Sequence, residues 1–238
     1  MSRNFELLKK LDREWAIPAV DKSEPDLLEP AGLRPSVGAH TYEELNKLGQ
    51  RLFLAGEHTS RCVLFTGAAP GVGCSWIAVH TAHVLCSQTT AQVCLVEADG
   101  GRDGIREHLG IANGAEFTEG PAAADNPLRA SDRKVGGNLW VLPVAVGLPS
   151  RQRVEAQLLK LRREFDFVLL DAPPVGNSRS LTLGTLADGA VLVLKAGRTP
   201  RPAVRLAVEE LETAGIKVLG MVLNQREYPI PDTIYKRL

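Results

Sequence analysis

Six short runs of consecutive apolar residues divide the chain from position 62 onward. They cover residues 62–65, 93–96, 139–142, 167–170, 190–194 and 218–223. Runs that are continuously apolar, rather than alternating with polar residues, are typical of strands buried on both faces. Apolar residues at helical spacing between several of the runs predict helices, which would form the crossover connections that parallel strands need. The pattern therefore predicts an α/β fold with a doubly wound, mostly parallel sheet.

Helices between the runs are indicated by apolar spacing and by residues that favour helix ends. A stripe at helical spacing is formed by Val154, Leu158, Leu161 and Phe165. Thr199 and Pro200, with the proline at the first helical position, predict the start of a later helix, and Gly215 predicts its end. Residues 98–137 are rich in Gly, Ala and Asp and lack strong periodicity, apart from a short turn at 105–109. We interpret them as loops beside a site.

Before position 62 the pattern predicts helical and extended segments. Residues 1–15 carry an apolar stripe and form an N-terminal helical extension, and residues 16–40 contain four prolines and form a linker. A second helix is expected from Thr41 to Leu54, where Thr41 and Glu44 have the spacing of a capping box. This helix opens the main domain, residues 41–226, and residues 227–238 form a C-terminal tail.

Composition excludes several classes of protein. Among the 238 residues, 28 basic and 28 acidic side chains cancel, so no nucleic-acid partner is expected. Neither a membrane-spanning stretch nor a signal-peptide core is found in the sequence. The four cysteines lack CxxC spacing and are interpreted as reduced cytosolic thiols, so no structural metal is expected.

Residues 66–76 read Thr-Gly-Ala-Ala-Pro-Gly-Val-Gly-Cys-Ser-Trp and lie between an apolar run and an apolar helix beginning near Ser75. A strand, a glycine-rich loop and a helix in this order are the context of a phosphate-binding P-loop. Backbone N–H groups of such a loop hold phosphate at the helix N-terminus. The nucleotide-binding candidates are Gly71, Val72, Gly73, Cys74, Ser75 and Trp76. Cys74 occupies the place of the lysine that reaches the β- and γ-phosphates.

Acidic residues follow two of the apolar runs. Asp171 comes directly after residues 167–170, where a Walker B aspartate would hold Mg²⁺, and Asp99 follows the run at 93–96 after Glu97 and Ala98. Asp99 and Asp171 are the catalytic candidates, although either could be an ordinary loop acid. The Ser75 hydroxyl is a metal ligand candidate with Asp171, or a helix cap. Asn224 ends the last run, where its amide could contact a base or simply form a turn.

Cys74 has three interpretations. It could fill space where no charge is needed, it could be a reactive thiol activated by the helix N-terminus, or it could bind a metal with His80, His83 or Cys86. Tetrahedral Zn²⁺ fits the last set poorly, because these residues extend along the helix away from position 74. We favour the first interpretation.

Taken together, these motifs resemble those of the bacterial tyrosine kinases of capsule and exopolysaccharide synthesis, of the CpsD and CapB type, within the deviant P-loop ATPases. The resemblance covers roughly residues 41–226. It includes the P-loop at 70–75, the acidic motif at 94–99 and the Walker B segment at 169–174. Three later segments, at 186–189, 196–199 and 222–224, also match. The resemblance implies a P-loop NTPase-like fold, Mg-ATP or Mg-ADP as ligand and a place for Asn224 near the adenine.

The departures from the family pattern affect its kinase chemistry. Cys74 replaces the lysine and Trp76 replaces a small hydroxyl residue beside the α-phosphate. The arginine expected after the acidic motif is displaced to Arg102. Both arginines of the oligomerisation pattern are absent from positions 46 and 49. The tail retains only Tyr228 and Tyr235 of a tyrosine cluster.

These departures predict a catalytically impaired, kinase-like regulator or adaptor in exopolysaccharide or capsule assembly and export, with weakened nucleotide binding. By the resemblance, its partner is a membrane-embedded chain-length regulator or co-polymerase. The chain would then be cytoplasmic and peripheral at the inner membrane, and could form a homo-oligomer. The alternative is an active ATPase or tyrosine autokinase in which Arg102, Arg179 or Arg198 replaces the missing lysine.

Overall fold

Seven strands form one sheet at the centre of the described part of the chain. They are β1 (Cys62–Gly67), β2 (Val93–Glu97), β3 (Lys134–Gly136), β4 (Leu139–Pro143), β5 (Phe167–Asp171), β6 (Gly189–Lys195) and β7 (Val218–Asn224). Their order across the sheet is β3-β4-β2-β5-β1-β6-β7. Six strands are parallel, and β3 pairs antiparallel with β4 at one edge. The computed structural model describes residues 37–55, 59–99, 104–109, 134–143 and 151–226.

Helices cover both faces of the sheet, which confirms the doubly wound fold. They are α1 (Ala39–Gly49) with a π-helical turn (Gln50–Leu54), α2 (Cys74–Gln88), α3 (Ile105–His108), α4 (Arg151–Glu164), α5 (Ser178–Gly184) and α6 (Arg201–Thr213). One core packs α1 and α2 on the sheet around Phe53 and Leu85. The other packs α4, α5 and α6 on the opposite face around Leu158 and Leu211.

Strand β1 shows why its sequence is continuously apolar. Val63 and Phe65 face the core beneath α1 and α2, whereas Leu64 faces the core beneath the other helices. All six residues of β1 are buried. A central parallel strand has no solvent face, so its side chains are apolar except where a polar group has a partner, as the Thr66 hydroxyl does.

The carboxyl ends of three neighbouring strands meet at one edge. Phe65 of β1 pairs with Asp171 of β5, and Asp171 pairs with Glu97 of β2. The loop after β1 therefore begins beside Asp171, and Asp99 follows β2 on the same edge. This is the arrangement that the sequence predicted.

The first described helix differs from its prediction. It begins at Ala39 rather than Thr41, and Gly38 is its N-cap without a side-chain hydrogen bond. Thr41 lies inside the helix, so the predicted capping box is wrong. The helical segment still ends at Leu54 as predicted, although its last five residues form a π-helical turn.

Two further boundaries needed correction. Residues 134–136, predicted as loop, form β3, a strand too short to give a periodic signal. Helix α6 begins at Arg201 with Pro200 as its N-cap, one residue later than predicted. The expected turn at 105–109 is confirmed as the short helix α3.

The predicted helix at 1–15, most of the linker at 16–40 and the tail at 227–238 lie outside the described residues. Among the helices that the structure does describe, each lacks the combination of length and apolar character needed to span a membrane.

Gly184 provides a test of the packing between α5 and the segment before β7. A Cβ at this position would lie 2.5 Å from Cδ1 and 3.2 Å from Cγ2 of Ile216, which is itself buried. We expect Gly184→Ala to lower the free energy of unfolding by about 1 to 3 kcal/mol because the core is overpacked. Chemical denaturation measures the change.

Gly49→Ala is the matched control, since Gly49 is also helical but a Cβ there meets nothing within 4 Å. Removing glycine flexibility from a helix should stabilise it by about 0.5 to 1 kcal/mol. Equal effects of the two substitutions would contradict the described contact with Ile216.

Candidate functional site: a P-loop beside a buried aspartate

The loop between β1 and α2 has the backbone shape that a phosphate-binding loop needs. Gly71 and Gly73 have φ values of 73° and 82°, a region that favours glycine. Gly73 is the N-cap of α2, and its carbonyl accepts the hydrogen bond from the Ile77 N–H at 3.1 Å. The first N–H groups of a helix have no partner within it. Those of Cys74 to Trp76 are therefore in place to bind an anion.

Asn224 holds the loop against the end of β7. Its Nδ2 donates to the Val72 carbonyl at 2.9 Å, and its Oδ1 accepts from the Gln225 N–H at 2.8 Å. A Cβ at Gly73 would collide with the same Nδ2. The structure thus brings Asn224 to the predicted loop, with one amide hydrogen left over for a ligand. Its contact with adenine stays a prediction.

Asp171 is the most constrained polar group of the site. Its side chain is fully buried, and neither carboxylate oxygen has a hydrogen bond of standard geometry. Burial raises the pKa of Asp171 to about 7, although the nearby Ser75 hydroxyl and Cys74 thiol pull it downward. The charges of Asp99 and Glu97 add to the increase.

The burial of the Asp171 carboxylate makes the site suitable for Mg²⁺. A buried carboxylate without partners is costly unless a cation or hydrogen-bond donor compensates it. Mg²⁺ prefers oxygen ligands and keeps several waters, so one carboxylate and one hydroxyl are enough protein ligands. Asp171 and Ser75 supply such a pair next to the phosphate loop.

The surroundings of Cys74 disfavour ionisation of its thiol. Burial raises the pKa of Cys74 well above its usual value, and the neighbouring Asp171 charge raises it further. These effects oppose the helix N-terminus, on which the reactive-thiol interpretation depended. Within the described residues, no group of three or more His, Cys, Asp or Glu side chains could hold a metal, so the set of Cys74 with His80, His83 or Cys86 is not formed.

Trp76 lies along helix α2. Its ring stacks on the His80 imidazole with centroids 4.0 Å apart and planes 23° apart. His80 Nδ1 lies 2.8 Å from the Trp76 carbonyl, and burial lowers the pKa of His80. Nδ1 of the neutral imidazole is therefore the donor to that carbonyl. The crowding of the α-phosphate by Trp76 stays a prediction.

Backbone hydrogen bonds join the acidic motif at 94–99 to the Walker B segment that contains Asp171. The Ala98 N–H donates to the Asp171 carbonyl at 2.8 Å, and the Ala98 carbonyl accepts from Arg179 Nη1 at 2.8 Å. Glu97 is buried and Asp99 is exposed. Arg179, one of the substitute cations considered, thus uses part of its guanidinium to hold this loop. Arg102 lies outside the described residues.

Sequence reasoning missed two hydroxyl groups that position Asp171. Thr66 and Ser180 both donate to the Pro173 carbonyl, at 2.7 and 2.6 Å, and both are buried. These bonds fix the loop that follows Asp171. The one available signal was a threonine inside a continuously apolar strand.

A cavity of about 460 Å³ adjoins the loop at the ends of β6 and β7. Its lining residues are Lys195, Ala196, Gly197, Arg198, Leu223, Gln225 and Arg226. Three of them are basic and none is acidic. Gln225 connects the cavity to the loop, since its Nε2 lies 3.4 Å from the position of a Cβ on Gly73. The charge of this cavity favours an anionic ligand.

Comparison with known proteins shows what this chain is similar to. No family model matches. It is 27% identical over 185 residues to the tyrosine-protein kinase YwqD of Bacillus subtilis, covering 74% of this chain and 76% of that protein. It is 38% identical over 66 residues to the tyrosine-protein kinase CpsD of Streptococcus agalactiae, covering 27% and 29%. It is 25% identical to the Escherichia coli kinase etk, covering 72% of this chain but 24% of that protein. Its homologues are therefore bacterial tyrosine-protein kinases.

Solved structures show the same fold. The kinase domain of Escherichia coli ETK matches with a TM-score of 0.56 at 20% identity, covering 72% of this chain and 71% of that one. The chimerical protein CapA2B2 matches with 0.64 at 20% identity, covering 92% and 99%. MinD of Aquifex aeolicus matches with 0.57 at 18% identity, covering 74% and 72%. At these identities the likeness establishes a P-loop NTPase-like fold.

Asp171→Asn tests the buried carboxylate through pH. Since the folded pKa is about 7 against an ordinary 3.8, the folded protein keeps a proton that the unfolded chain loses between these values. Stability should therefore fall as pH rises through that window. Relative to the original protein, Asp171→Asn should gain about 3 kcal/mol between about pH 5 and about pH 8, out of about 4 kcal/mol over the whole window.

Asp188→Asn is the control, with an effect of opposite sign. Burial raises the pKa of Asp188. The Cys62 and Arg61 N–H groups and the Arg162 guanidinium outweigh burial and hold this pKa below its usual value. Asp188→Asn should therefore lose stability as pH rises through the acidic range. An Asp171→Asn gain that does not depend on pH would contradict the raised pKa.

Proposed function

We propose that this chain, a homologue of bacterial tyrosine-protein kinases, is a nucleotide-binding protein with impaired catalysis that regulates or adapts exopolysaccharide or capsule assembly and export. One observation carries the proposal. The left-handed Gly71 and Gly73 of the loop and the buried Asp171 beside it support a Mg-nucleotide site, while position 74 holds cysteine in place of the lysine. The frame of the site is retained and its principal cation is missing.

The size of this loss separates binding from catalysis. A charge-assisted hydrogen bond contributes about 1.5 to 3 kcal/mol. Its absence should weaken nucleotide binding by roughly tenfold to a hundredfold. The loss should be larger in the transition state, where the transferred phosphoryl group needs the most charge stabilisation. Binding therefore survives this replacement better than phosphoryl transfer does.

The protein's own residues would hold the nucleotide from several sides. The N–H groups of Cys74 to Trp76 would bind phosphate oxygens, and the Ser75 hydroxyl and the Asp171 carboxylate would hold Mg²⁺. When bound, Mg²⁺ would supply positive charge to the phosphates. Asn224 keeps the loop in shape through Val72.

A partner and a place in the cell follow from the resemblance to the capsule and exopolysaccharide kinases. The proposed partner is a membrane-embedded chain-length regulator or co-polymerase, which would hold the chain at the inner membrane. Homo-oligomers are also proposed. The chain spans about a quarter of the length of the etk homologue, so the activity of that whole protein is carried over only as a proposal.

An active ATPase or tyrosine autokinase is the second candidate. The observation in its favour is the cavity beside the loop, which is lined by Lys195, Arg198 and Arg226. Of the three arginines that could replace the lysine, Arg198 is the one that lines this cavity. Its replacement by Gln would abolish turnover if this candidate is correct.

Calorimetry with Mg-ADP and Mg-ATP tests the leading proposal. We expect binding that is weak but dependent on Mg²⁺, and that is lost in Asp171→Ala. Turnover of Mg-ATP should not exceed that of the Asp171→Ala variant. Absence of binding by the folded protein would refute nucleotide binding, and turnover well above the control would favour the second candidate.

Autophosphorylation provides a separate prediction. After incubation with Mg-ATP, the purified full chain should carry no phosphotyrosine, because position 74 is neutral and only Tyr228 and Tyr235 remain in the tail. Mass spectrometry of the tail peptides is the measurement. Phosphate on either tyrosine would show that the chain is a kinase.

Restoring the charge provides the converse prediction. Cys74→Lys together with Trp76→Thr should raise Mg-ATP affinity by at least about tenfold, the factor that one interaction of about 1.4 kcal/mol gives. Cys74→Lys alone should raise it less if Trp76 crowds the α-phosphate. Calorimetry or nucleotide competition measures the affinity.

Cys74→Met with Trp76→Thr is the matched control, since methionine is also long and unbranched but carries no charge. This variant also reports the cost of removing the stack between Trp76 and His80. Equal affinities of the lysine and methionine variants, both folded, would mean that the loop no longer binds phosphate.

A further inference from the structure

The two edges of the sheet differ in how they are protected. Strand β3 at one edge has three residues, begins with a lysine and has an irregular register with β4. Short length, a charged side chain and a bulge are common means of keeping an edge strand from pairing further. Strand β7 at the other edge has seven residues and contains neither a charged residue nor a proline. Its register with β6 shifts near its start and is regular over residues 220–224.

Apolar side chains are exposed along this regular part of β7. Met221 is 52% exposed and Leu223 is 59% exposed. They pair with Leu192 and Leu194 of β6, which are buried in the core beneath α4, α5 and α6. Side chains of paired residues point to the same face of a sheet, so Met221 and Leu223 extend this core face beyond the part that the helices cover.

The backbone of β7 is open on its outer side. The Asn224 carbonyl accepts from the Ala196 N–H at 2.8 Å, so the backbone groups of Asn224 face β6. Because backbone direction alternates along a strand, those of Met221 and Leu223 point away from β6. Within the described residues, β7 has no strand on that side. Unpaired backbone groups beside exposed apolar side chains are the features that accept an added strand.

The path of the chain after β7 turns at the carboxyl end of this open edge. Gln225 has a φ of 54°, in the left-handed region that residues other than glycine seldom adopt. Its N–H is held by the Asn224 side chain at 2.8 Å. A left-handed residue directly after a strand turns the chain out of the strand direction, as in many hairpin connections. The C-terminal tail therefore leaves from the open edge itself.

One segment of the tail has the composition of a strand. Two prolines, at positions 229 and 231, lack an N–H and favour a connection rather than a strand interior. Residues 233–238 contain no proline, and Thr233, Ile234 and Tyr235 are of types enriched in strands. At about 3.4 Å per residue, residues 233–238 would span about 20 Å, which is enough to cover the regular part of β7.

We propose that residues 233–238 pair antiparallel with the outer side of β7 and complete the sheet as a further strand. Residues 226–232 would form the connection that reverses the chain. The inference concerns the sheet edge and does not depend on whether the protein binds a nucleotide.

The side chains of this added strand suit both of its tasks. Alternation places Ile234 and Leu238 on the same face, where they would extend the apolar surface of Met221 and Leu223. The basic pair at 236–237 would give the new edge the charge that β7 lacks. The exposed apolar residues would be covered and the sheet would end in a protected strand.

Two other occupants could use the same edge. A second copy of this chain could pair its β7 with this one, and an extended peptide of another protein could add to it. The tail is favoured because it is joined to β7 through Gln225. Closing a short loop within one chain costs little, whereas two molecules must reach a sufficient concentration.

Hydrogen exchange of single amides in the full chain tests the proposal, since the Met221 and Leu223 amides report on the outer side of β7. We expect both to exchange at least about a hundredfold more slowly than in an unstructured peptide, at every protein concentration. Backbone direction alternates, so either Ile234→Pro or Tyr235→Pro removes an N–H from the new pairing. In at least one of these variants both amides should exchange at least about tenfold faster.

Tyr228→Pro is the matched control, because it makes the same substitution in the connection and should leave both amides slow. Fast exchange of Met221 and Leu223 in the full chain would mean that the edge is open, and would overturn the proposal. Slow exchange that persists in both Ile234→Pro and Tyr235→Pro would mean that the tail does not cover the edge. Protection that grows with protein concentration would assign the edge to a second copy and would likewise overturn the proposal.

Discussion

The structure is organised around a carboxylate that is expensive to bury. Asp171 lies at the end of β5, fully enclosed, and neither of its oxygens has a hydrogen bond of standard geometry. An ionised group in that position loses its hydration and regains little of it from the protein. The protein therefore carries an electrostatic cost at this edge of the sheet that only a cation, a proton or a ligand can relieve. The raised pKa of Asp171 shows that a proton relieves part of it in the free protein.

The surrounding contacts fix the shape of the site without supplying that charge. Thr66 and Ser180 hold the Pro173 carbonyl, and Asn224 holds the loop at Val72. None of these bonds involves position 74. Loss of a lysine there removes charge and leaves the backbone geometry in place, because the loop is shaped by glycine conformation and by neighbouring strands. This separation explains how a chain with kinase homologues can keep their fold with a different residue at this position.

Most of the fold could be predicted from the sequence, because the four central parallel strands are buried on both faces and are apolar at almost every position. The edge strand β7 was also recognised by its apolar run, but the expectation that it is buried on both faces is wrong, since Met221 and Leu223 are exposed. Strand β3 could not be predicted, since three residues carry no periodicity and its pairing depends on β4. The start of α1 could not be predicted either. The spacing of Thr41 and Glu44 indicated a helix start at Thr41, but the helix begins two residues earlier, at Ala39.

The candidate residues were recognisable as a motif, but their chemistry was not. The protonation of Cys74 depends on whether burial or the helix N-terminus has the larger effect, and burial is a property of the folded chain. The same holds for Asn224, whose bond to Val72 joins residues far apart in sequence. The cavity beside the loop requires β6 and β7 to be adjacent, which the chain order alone does not establish.

The proposed site requires Asp171 to be partly protonated until the cation that accompanies a nucleotide binds. Metal binding to such a group must release its proton. Calorimetry of Mg-ADP binding near pH 7 in two buffers of different ionisation enthalpy counts the protons released. With a pKa of about 7, about half a proton should be released per ADP bound at pH 7, and about a tenth of a proton at pH 8. Binding of Mg-ADP with no proton release near pH 7, or with equal release at both pH values, would contradict the claim.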